Sequence, residues 1–450
     1  MNLFEKIDFL LWNGFLIYLI LAVGIFFTFR LRAIQVSFFF TSIKLAFSKK
    51  PNSSKGDISQ FESLMTALAA TIGIGSIAGM ATAVVSGGFG AIFWMWVVSF
   101  IGMSTKYAES ILAIKYRSQK DSKEMAGGPM YYMEKGLNMK KMGIFFSVFG
   151  ILASFGGGNL IQTQSISDAI FDLFTIPHFI TGIVLAISTA LVILGGIKKL
   201  GKVNAYLVPI MAFIYISGGL VILVIKYNLI IPGIINIIKS AFNLRSAVGG
   251  FIGFSIFNAV QMGIARGISS NEAGLGSAPI AAAAAKTDEP GRFALISMSS
   301  VFLSSFVVCT ITVLILAVTN VVGLKNPNGE LLNGSILVMR AFTEVIPFGN
   351  YIVAIGVVLF GFSTILGWSY YGEKCYEYIF GNKNIFMYRM VYILAVFIGS
   401  FLSIKIVWPL ADITNGLMAI PNLIALFLLS NVVVEETKRF LKIYSKEINS

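Results

Sequence analysis

The stretch Ser63-Leu-Met-Thr-Ala-Leu-Ala-Ala-Thr-Ile-Gly73-Ile-Gly75-Ser-Ile-Ala-Gly79 decides the architecture. It lies inside an apolar run long enough to span a bilayer, yet it carries a cluster of glycines with polar neighbours. Glycine costs about 1 kcal/mol against alanine in a helix interior, so this pattern predicts a helix that breaks partway along. A break at membrane depth is tolerated only where protein or water satisfies the freed peptide groups. The competing reading makes Gly75 and Gly79, four apart, a notch for helix packing.

The rest of the chain supports a lipid solvent. Its 450 residues are 56% hydrophobic and 12% charged, with a mean hydropathy of +0.83, whereas soluble domains carry about 25% charge. A span needs about 20 apolar residues. About eleven such stretches lie near 9–29, 61–86, 89–113, 143–171, 178–197, 203–226, 247–271, 292–320, 349–379, 385–408 and 413–430. The first has Glu5 and Asp8 before it and Arg30 and Arg32 after it, the reverse of a cleaved signal peptide. With the N-terminus outside, roughly 25 of the 34 Lys and Arg fall in cytoplasmic segments, a positive-inside pattern. The net charge of +13 therefore reports orientation and gives no reason to expect nucleic acid. The expected protein is a multi-pass cell-membrane protein with its C-terminus in the cytoplasm.

A second interrupted stretch runs from Gly249 through Met262-Gly-Ile-Ala-Arg266-Gly267-Ile-Ser269-Ser-Asn271-Glu272-Ala-Gly274-Leu-Gly276. Interrupted helices at matching places in two halves point to a transporter site at the midplane. Here the interruptions open two blocks of five spans, and an odd number per block inverts one against the other. The expected fold is all-α: an added helix and cytoplasmic linker at 1–58, a first repeat at 59–228, a second at 229–430 and a cytoplasmic tail at 431–450. The segments 230–245 and 330–347 read as amphipathic pieces on the outer face. Ala278-Pro279 and the alanines 281–285 read as a short cytoplasmic helix started by proline.

A broken helix frees amides on one half and carbonyls on the other. Amides at a half-helix N-terminus favour a carboxylate, so Ile74, Gly75 and Ser76 are candidates to hold one. Carbonyls at the opposing end favour a small cation, which nominates Ala69 and Ile72. The ninth stretch adds the hydroxyls of Ser363 and Thr364, with Phe360 and Trp368 four residues to either side of Thr364 on one helical face. The competing reading has these hydroxyls bonded to their own helix and Trp368 as a lipid anchor. The fourth stretch, Gly156-Gly-Gly-Asn159-Leu-Ile-Gln162-Thr-Gln164-Ser165, carries amides that are costly in hydrocarbon. They serve either an ammonium group or helix-to-helix bonding.

Arg266 and Glu272 read as an ion pair of a gate or of the scaffold, and Lys106 and Glu109, three apart, as a local helix pair. No acid sits centrally in the second or ninth stretch, which favours sodium over a proton relay. Cys309, Cys375 and His178 form no metal or disulfide pattern. No Ser-His-Asp set or phosphate loop is present, so neither an enzyme nor an organic cofactor is expected.

With these residues in hand, the chain resembles the sodium:alanine (alanine or glycine:cation) symporters. The strings that carry the likeness run in order along nearly the whole chain: Leu64 to Gly73, Gly102-Met-Ser-Thr-Lys-Tyr-Ala-Glu109, Gly127-Gly-Pro-Met-Tyr-Tyr132, Ser270-Asn-Glu-Ala-Gly-Leu-Gly-Ser-Ala-Pro279, Gly367-Trp-Ser-Tyr-Tyr-Gly-Glu373 and Gly416-Leu-Met-Ala-Ile-Pro-Asn422. The resemblance implies a leucine-transporter-type five-plus-five fold with one extra N-terminal helix. It places a substrate carboxylate on the amides of Ile74 and Gly75 beside Gly73, and sodium between the carbonyls near Ala69 and Ile72 and the hydroxyls of Ser363 and Thr364, beside Phe360. It puts Gln162 and Trp368 near the substrate, with Gln164, Gly267 and Ser269 at or near the pocket. The chain departs from the family pattern at Ser76 and Gln164, where Asn is usual, at Ser269, where Phe is usual, and at 281–283, where a histidine is often found. Serine in place of phenylalanine enlarges the pocket and makes it more polar, which extends the expected cargo beyond alanine and glycine.

The sequence thus reads as a secondary symporter coupling inward sodium flow to uptake of a small neutral amino acid by alternating access. A proton-coupled carrier of another polar solute is the alternative on the same scaffold, and an ion channel is the alternative from a different class.

Overall fold

The computed structural model of the chain describes residues 3–48, 55–119, 124–242, 256–287, 289–402 and 404–449. It is helical apart from one short pair of strands, Ser118–Gln119 against Met125–Ala126. We number the principal helices α1 (Lys6–Arg30), α2 (Gln60–Thr71), α3 (Ala78–Gly87), α4 (Gly90–Lys115), α5 (Lys140–Phe174), α6 (His178–Ile193), α7 (Gly196–Ile225) and α8 (Ile230–Phe242). They continue as α9 (Ile256–Asn271), α10 (Ala278–Ala283), α11 (Pro290–Thr319), α12 (Gly334–Thr343), α13 (Gly349–Phe380), α14 (Ile385–Gly399), α15 (Ile404–Leu428) and α16 (Ser430–Asn449). Among the described residues, seven helices are long and apolar enough to cross a membrane: α1, α4, α5, α7, α11, α13 and the 407–428 part of α15.

The bundle has an apolar core, yet its outside is apolar too and several polar side chains lie within. Phe213 (73% exposed), Val224 (70%) and Ile231 (69%) stand on the outside, while Lys106, Glu109, Asn159 and Asn204 are fully buried. An apolar surface of that extent needs lipid to cover it.

The second stretch breaks as its sequence predicts. A capping box starts α2, with Glu62 N–H donating to Ser59 Oγ (3.2 Å) and Ser59 N–H donating to Glu62 Oε2 (2.7 Å). The helix ends at Thr71, the chain runs extended through Gly73, makes one 3-10 turn at Ile74–Ser76 and re-enters a helix at Ala78. Gly73 is required there, because a Cβ on it would lie 2.5 Å from Thr364 Oγ1 and 3.1 Å from Gln162 Oε1. The notch reading fails at this break: a Cβ on Gly79 would meet nothing within 4 Å, and one on Gly75 would meet only Ser269 Oγ at 3.9 Å.

The seventh stretch differs from its expected form. Its start, including Gly249, lies outside the described residues. The helix continues unbroken through Gly263 and Gly267 and ends at Asn271. Both glycines are packing notches against α4, since a Cβ would meet Ala91 O at 2.1 Å from Gly263 and Val98 Cγ1 at 2.8 Å from Gly267. The interruption comes later, at 272–277, where Glu272, Gly274 and Gly276 have φ of 56°, 91° and 83° before Pro279 helps start α10. The tenth and eleventh stretches also shift: α14 stops at Gly399, and α15 begins at Ile404 and carries Pro409 and Pro421 within it. Around the breaks, α9 and α11 pack on α4, α13 and α15 pack on α5, and α7 packs on α13 and α2.

Candidate functional site

The break in α2 opens on a cavity of about 50 Å³ at mid-bundle. One water needs about 10–15 Å³ on this scale, so the cavity suits a solute of a few non-hydrogen atoms. The backbones of Gly73 and Gly75 form one wall; Gln162, Ser269, Thr364 and Trp368 close the sides. Gln162 is positioned by a π-helical turn over Gly156–Leu160. Its Nε2 donates to Gly157 O (3.0 Å), and its Oε1 accepts the Ile74 N–H (3.2 Å). Trp368 packs on the same turn, where a Cβ on Gly158 would lie 2.3 Å from Trp368 Cβ.

A cluster of neutral oxygens adjoins this cavity. Ala69 is among the last four residues of α2, whose carbonyls lack intrahelical donors. Its carbonyl accepts from Thr364 Oγ1 (3.0 Å) and Ser363 Oγ (3.3 Å), and each hydroxyl also lies 2.9 Å from Phe360 O. Three hard oxygens from two helices, with no carboxylate among them, suit a small monovalent cation, towards which both hydroxyls can turn their lone pairs. Ile72 is buried at the point where α2 leaves helical geometry (ψ 71°).

Several expected site residues stand elsewhere. Ser76 does not line the cavity; its carbonyl accepts from Thr312 Oγ1 (3.0 Å), itself 2.9 Å from Tyr215 OH. Gln164 faces along its own helix and donates to Asp168 Oδ2 (3.0 Å). Gly267 is on the α4-facing side of α9. Asn159 serves helix-to-helix bonding, donating to Tyr392 O (3.0 Å).

The lining residues that the sequence reading did not assign to the pocket include Glu272, Trp408, Asp412 and Asn415. Asp412 and Asn415 lie three apart on α15, and the signal for them was an acid and an amide at the edge of an apolar run. The expected start at 413 excluded Asp412 by one position. The expected Arg266–Glu272 pair is also replaced. Arg266 Nη2 lies 3.7 Å from Asp412 Oδ2, and its guanidinium sits 4.8 Å above the Trp408 ring, whereas Glu272 Oε2 accepts from Ser277 Oγ (2.7 Å). Beyond Trp408 a larger void of about 460 Å³ is bordered by Arg266, Asp168, Asp172, Ser335 and Met339, with Trp408 lining both spaces.

The second break is filled by protein charges. Lys106 and Glu109, fully buried on α4, do more than face each other along one helix: both reach across to the second break. Lys106 Nζ donates to Asn271 O (3.0 Å), the carbonyl end of α9. Glu109 Oε1 accepts from Gly274 N and Gly276 N, both at 3.1 Å, and from Asn422 Nδ2 (2.7 Å). Asn422 also donates to Gly274 O (2.9 Å) and accepts from Tyr132 OH. A cation thus meets the carbonyl end and an anion meets the amides.

A discontinuous helix beside a small polar cavity, within a lipid-facing bundle, is the architecture of the leucine-transporter-type fold. The chain's fold matches that of MhsT, solved in complex with L-phenylalanine, with a TM-score of 0.60 at 14% identity over 85% of this chain and 93% of that one. The chain belongs to the sodium:alanine symporter family, whose sequence profile matches residues 1–450. It is 53% identical to the sodium/alanine symporter AgcS of Methanococcus maripaludis over 99% of this chain and 98% of that protein. It is 38% identical to the probable sodium/glutamine symporter GlnT of Bacillus subtilis over 96% of this chain and 88% of that protein. These relationships support a sodium-coupled amino-acid symporter in a multi-pass membrane setting.

Proposed function

We propose that this chain imports a small neutral amino acid of the alanine and glycine class, with tolerance for somewhat larger or more polar side chains, by coupling to inward sodium flow. The observation that carries the reading is the meeting of Ala69 O, Ser363 Oγ and Thr364 Oγ1 at the same helix break whose Gly73 and Gly75 backbones border the cavity. Sodium at those oxygens would fix the break, and the substrate carboxylate would then lie on the amides near Ile74 and Gly75. Gln162 holds the turn from the opposite side, and Trp368 covers the solute. Ser269 stands where a bulkier residue would shrink the space. Eleven spans arranged as two inverted five-helix repeats, with the N-terminus outside, supply the two states, and sodium couples by binding one of them better.

Counterflow in proteoliposomes with labelled alanine, glycine and glutamine, with and without sodium at fixed pH, tests this. Exchange that needs sodium is expected; equal exchange in sodium-free buffer overturns the coupling. The acids Glu272 and Asp412 in the cavity wall favour one second reading, proton coupling. It predicts uptake that follows external pH and ignores sodium.

A further inference from the structure

The geometry points to a binding site for a multiply charged phosphate group in a recess at the basic end of the bundle, remote from the central cavity. The recess has a volume of about 640 Å³ and is bordered by Lys55, Lys198, Lys202 and Lys286 together with Asp57 and Glu62. Four lysines thus share one concavity with two acids. A positive-inside bias puts lysines in loops on one side, but it does not bring them from three separate segments to one concavity.

The acids of the recess are engaged with backbone. Asp57 Oδ2 accepts Met125 N–H (2.7 Å), and Glu62 Oε2 accepts Ser59 N–H (2.7 Å) in the cap of α2. The side chains of Lys55, Lys198 and Lys202 make no hydrogen bond or ion pair among the described residues. Lys198 and Lys202 are four apart on the first turns of α7, a like-charge spacing that is itself destabilising by a few tenths of a kcal/mol. An anion between them relieves that repulsion.

The place is mechanically pointed. The chain entering α2 is tied to the end of α10 by Asp57 N to Ala284 O (2.9 Å) and Lys286 N to Ile58 O (2.8 Å). Arg117 clamps the same junction by donating to the carbonyls of Lys55 (2.9 Å), Ala283 (3.1 Å), Ala285 (2.7 Å) and Thr287 (2.6 Å). Helix α7 abuts it at Gly201, where a Cβ would lie 3.2 Å from Ile58 Cγ2. A phosphate group bridging Lys55 and Lys286 to Lys198 and Lys202 joins α7 to the segment that enters α2 and the segment that leaves α10. The group comes either from an anionic lipid headgroup or from a soluble phosphate ester, and both present the same chemistry.

The test uses the full chain in phosphatidylcholine nanodiscs, probed with inorganic pyrophosphate, and in matching nanodiscs containing cardiolipin, read by radiolabel binding and by lipid retention in native mass spectrometry. The double variant Lys198→Gln/Lys202→Gln should bind roughly 30-fold more weakly, the loss expected for two lysines at a membrane surface. The variant Lys140→Gln/Lys141→Gln, which removes the same charge from exposed positions at the same end, should bind like the parent. Pyrophosphate binding lost only in the recess variant identifies a soluble phosphate source; cardiolipin retention lost only there identifies a lipid source. Binding of neither probe, or equal loss in both variants, overturns the site. The readout does not depend on which solute or coupling ion is carried.

Discussion

The two helix breaks look alike in sequence and are built on opposite electrostatic plans. At 72–77 the freed groups meet neutral partners: Gln162 takes the Ile74 amide, and the Ser363 and Thr364 hydroxyls meet the Ala69 carbonyl. At 272–277 the freed groups meet full charges, Lys106 on the carbonyl end and Glu109 on the amides. Neutral partners leave a break with unspent affinity for a cation and an anion, which is what a carrier of sodium and a zwitterion requires. Resident charges consume that affinity. On the proposed function the first break is the one that takes ligands, while at the second Lys106 and Glu109 already occupy the freed backbone groups.

The contrast can be broken most forcefully at the second site. Replacing Lys106 with methionine leaves a buried carbonyl end and the Glu109 carboxylate uncompensated, which should destabilise the fold by about 3–5 kcal/mol. A large drop in the thermal unfolding midpoint checks it. If sodium dependence changed instead, with stability intact, the second break would be a ligand site after all. With sodium bound as proposed at the first site, Thr364→Ala removes a ligand oxygen worth about 1.5–3 kcal/mol. The sodium concentration for half-maximal uptake should rise by roughly 10–100-fold with little loss of folded protein.

Gly73→Ala sharpens the comparison further. Its methyl would sit 2.5 Å from Thr364 Oγ1, an overpacking strain of about 1–3 kcal/mol placed on the oxygen cluster. Counterflow should fall while the protein remains monodisperse on size exclusion. The smallest effect is expected from Ser269→Phe, which fills the side facing Gly75. Relative rates for glycine and alanine over glutamine should rise by about tenfold, the scale of one pocket contact. No change in the ratio would remove Ser269 from the specificity argument.

The first break was legible because its cause is local. Gly73, Gly75 and the polar residues beside them disfavour a continuous helix wherever they are placed, and the i, i+4 face of Phe360, Thr364 and Trp368 survives in an unbroken α13. Gln162 was legible as an amide too costly to leave in lipid, although the same argument brought in Gln164 and Asn159, which bond within the scaffold. What could not be read was set by packing across the chain. Gly263 and Gly267 resemble the breaking glycines, and only the approach of α4 reveals them as notches. Lys106 and Glu109 have the spacing of a helix pair, and their partners lie 165 positions or more away in sequence. Asp412 escaped because its helix starts nine residues before the expected boundary (404 against 413).

One indole separates two chambers of very different capacity. Trp408 borders a space of about 50 Å³ on one side and one of about 460 Å³ on the other. What the protein can carry and what can obstruct it are therefore governed by different dimensions. The outer space has room for a molecule several times bulkier than the inner one admits, so a compound shaped to fill it need not resemble the cargo in size.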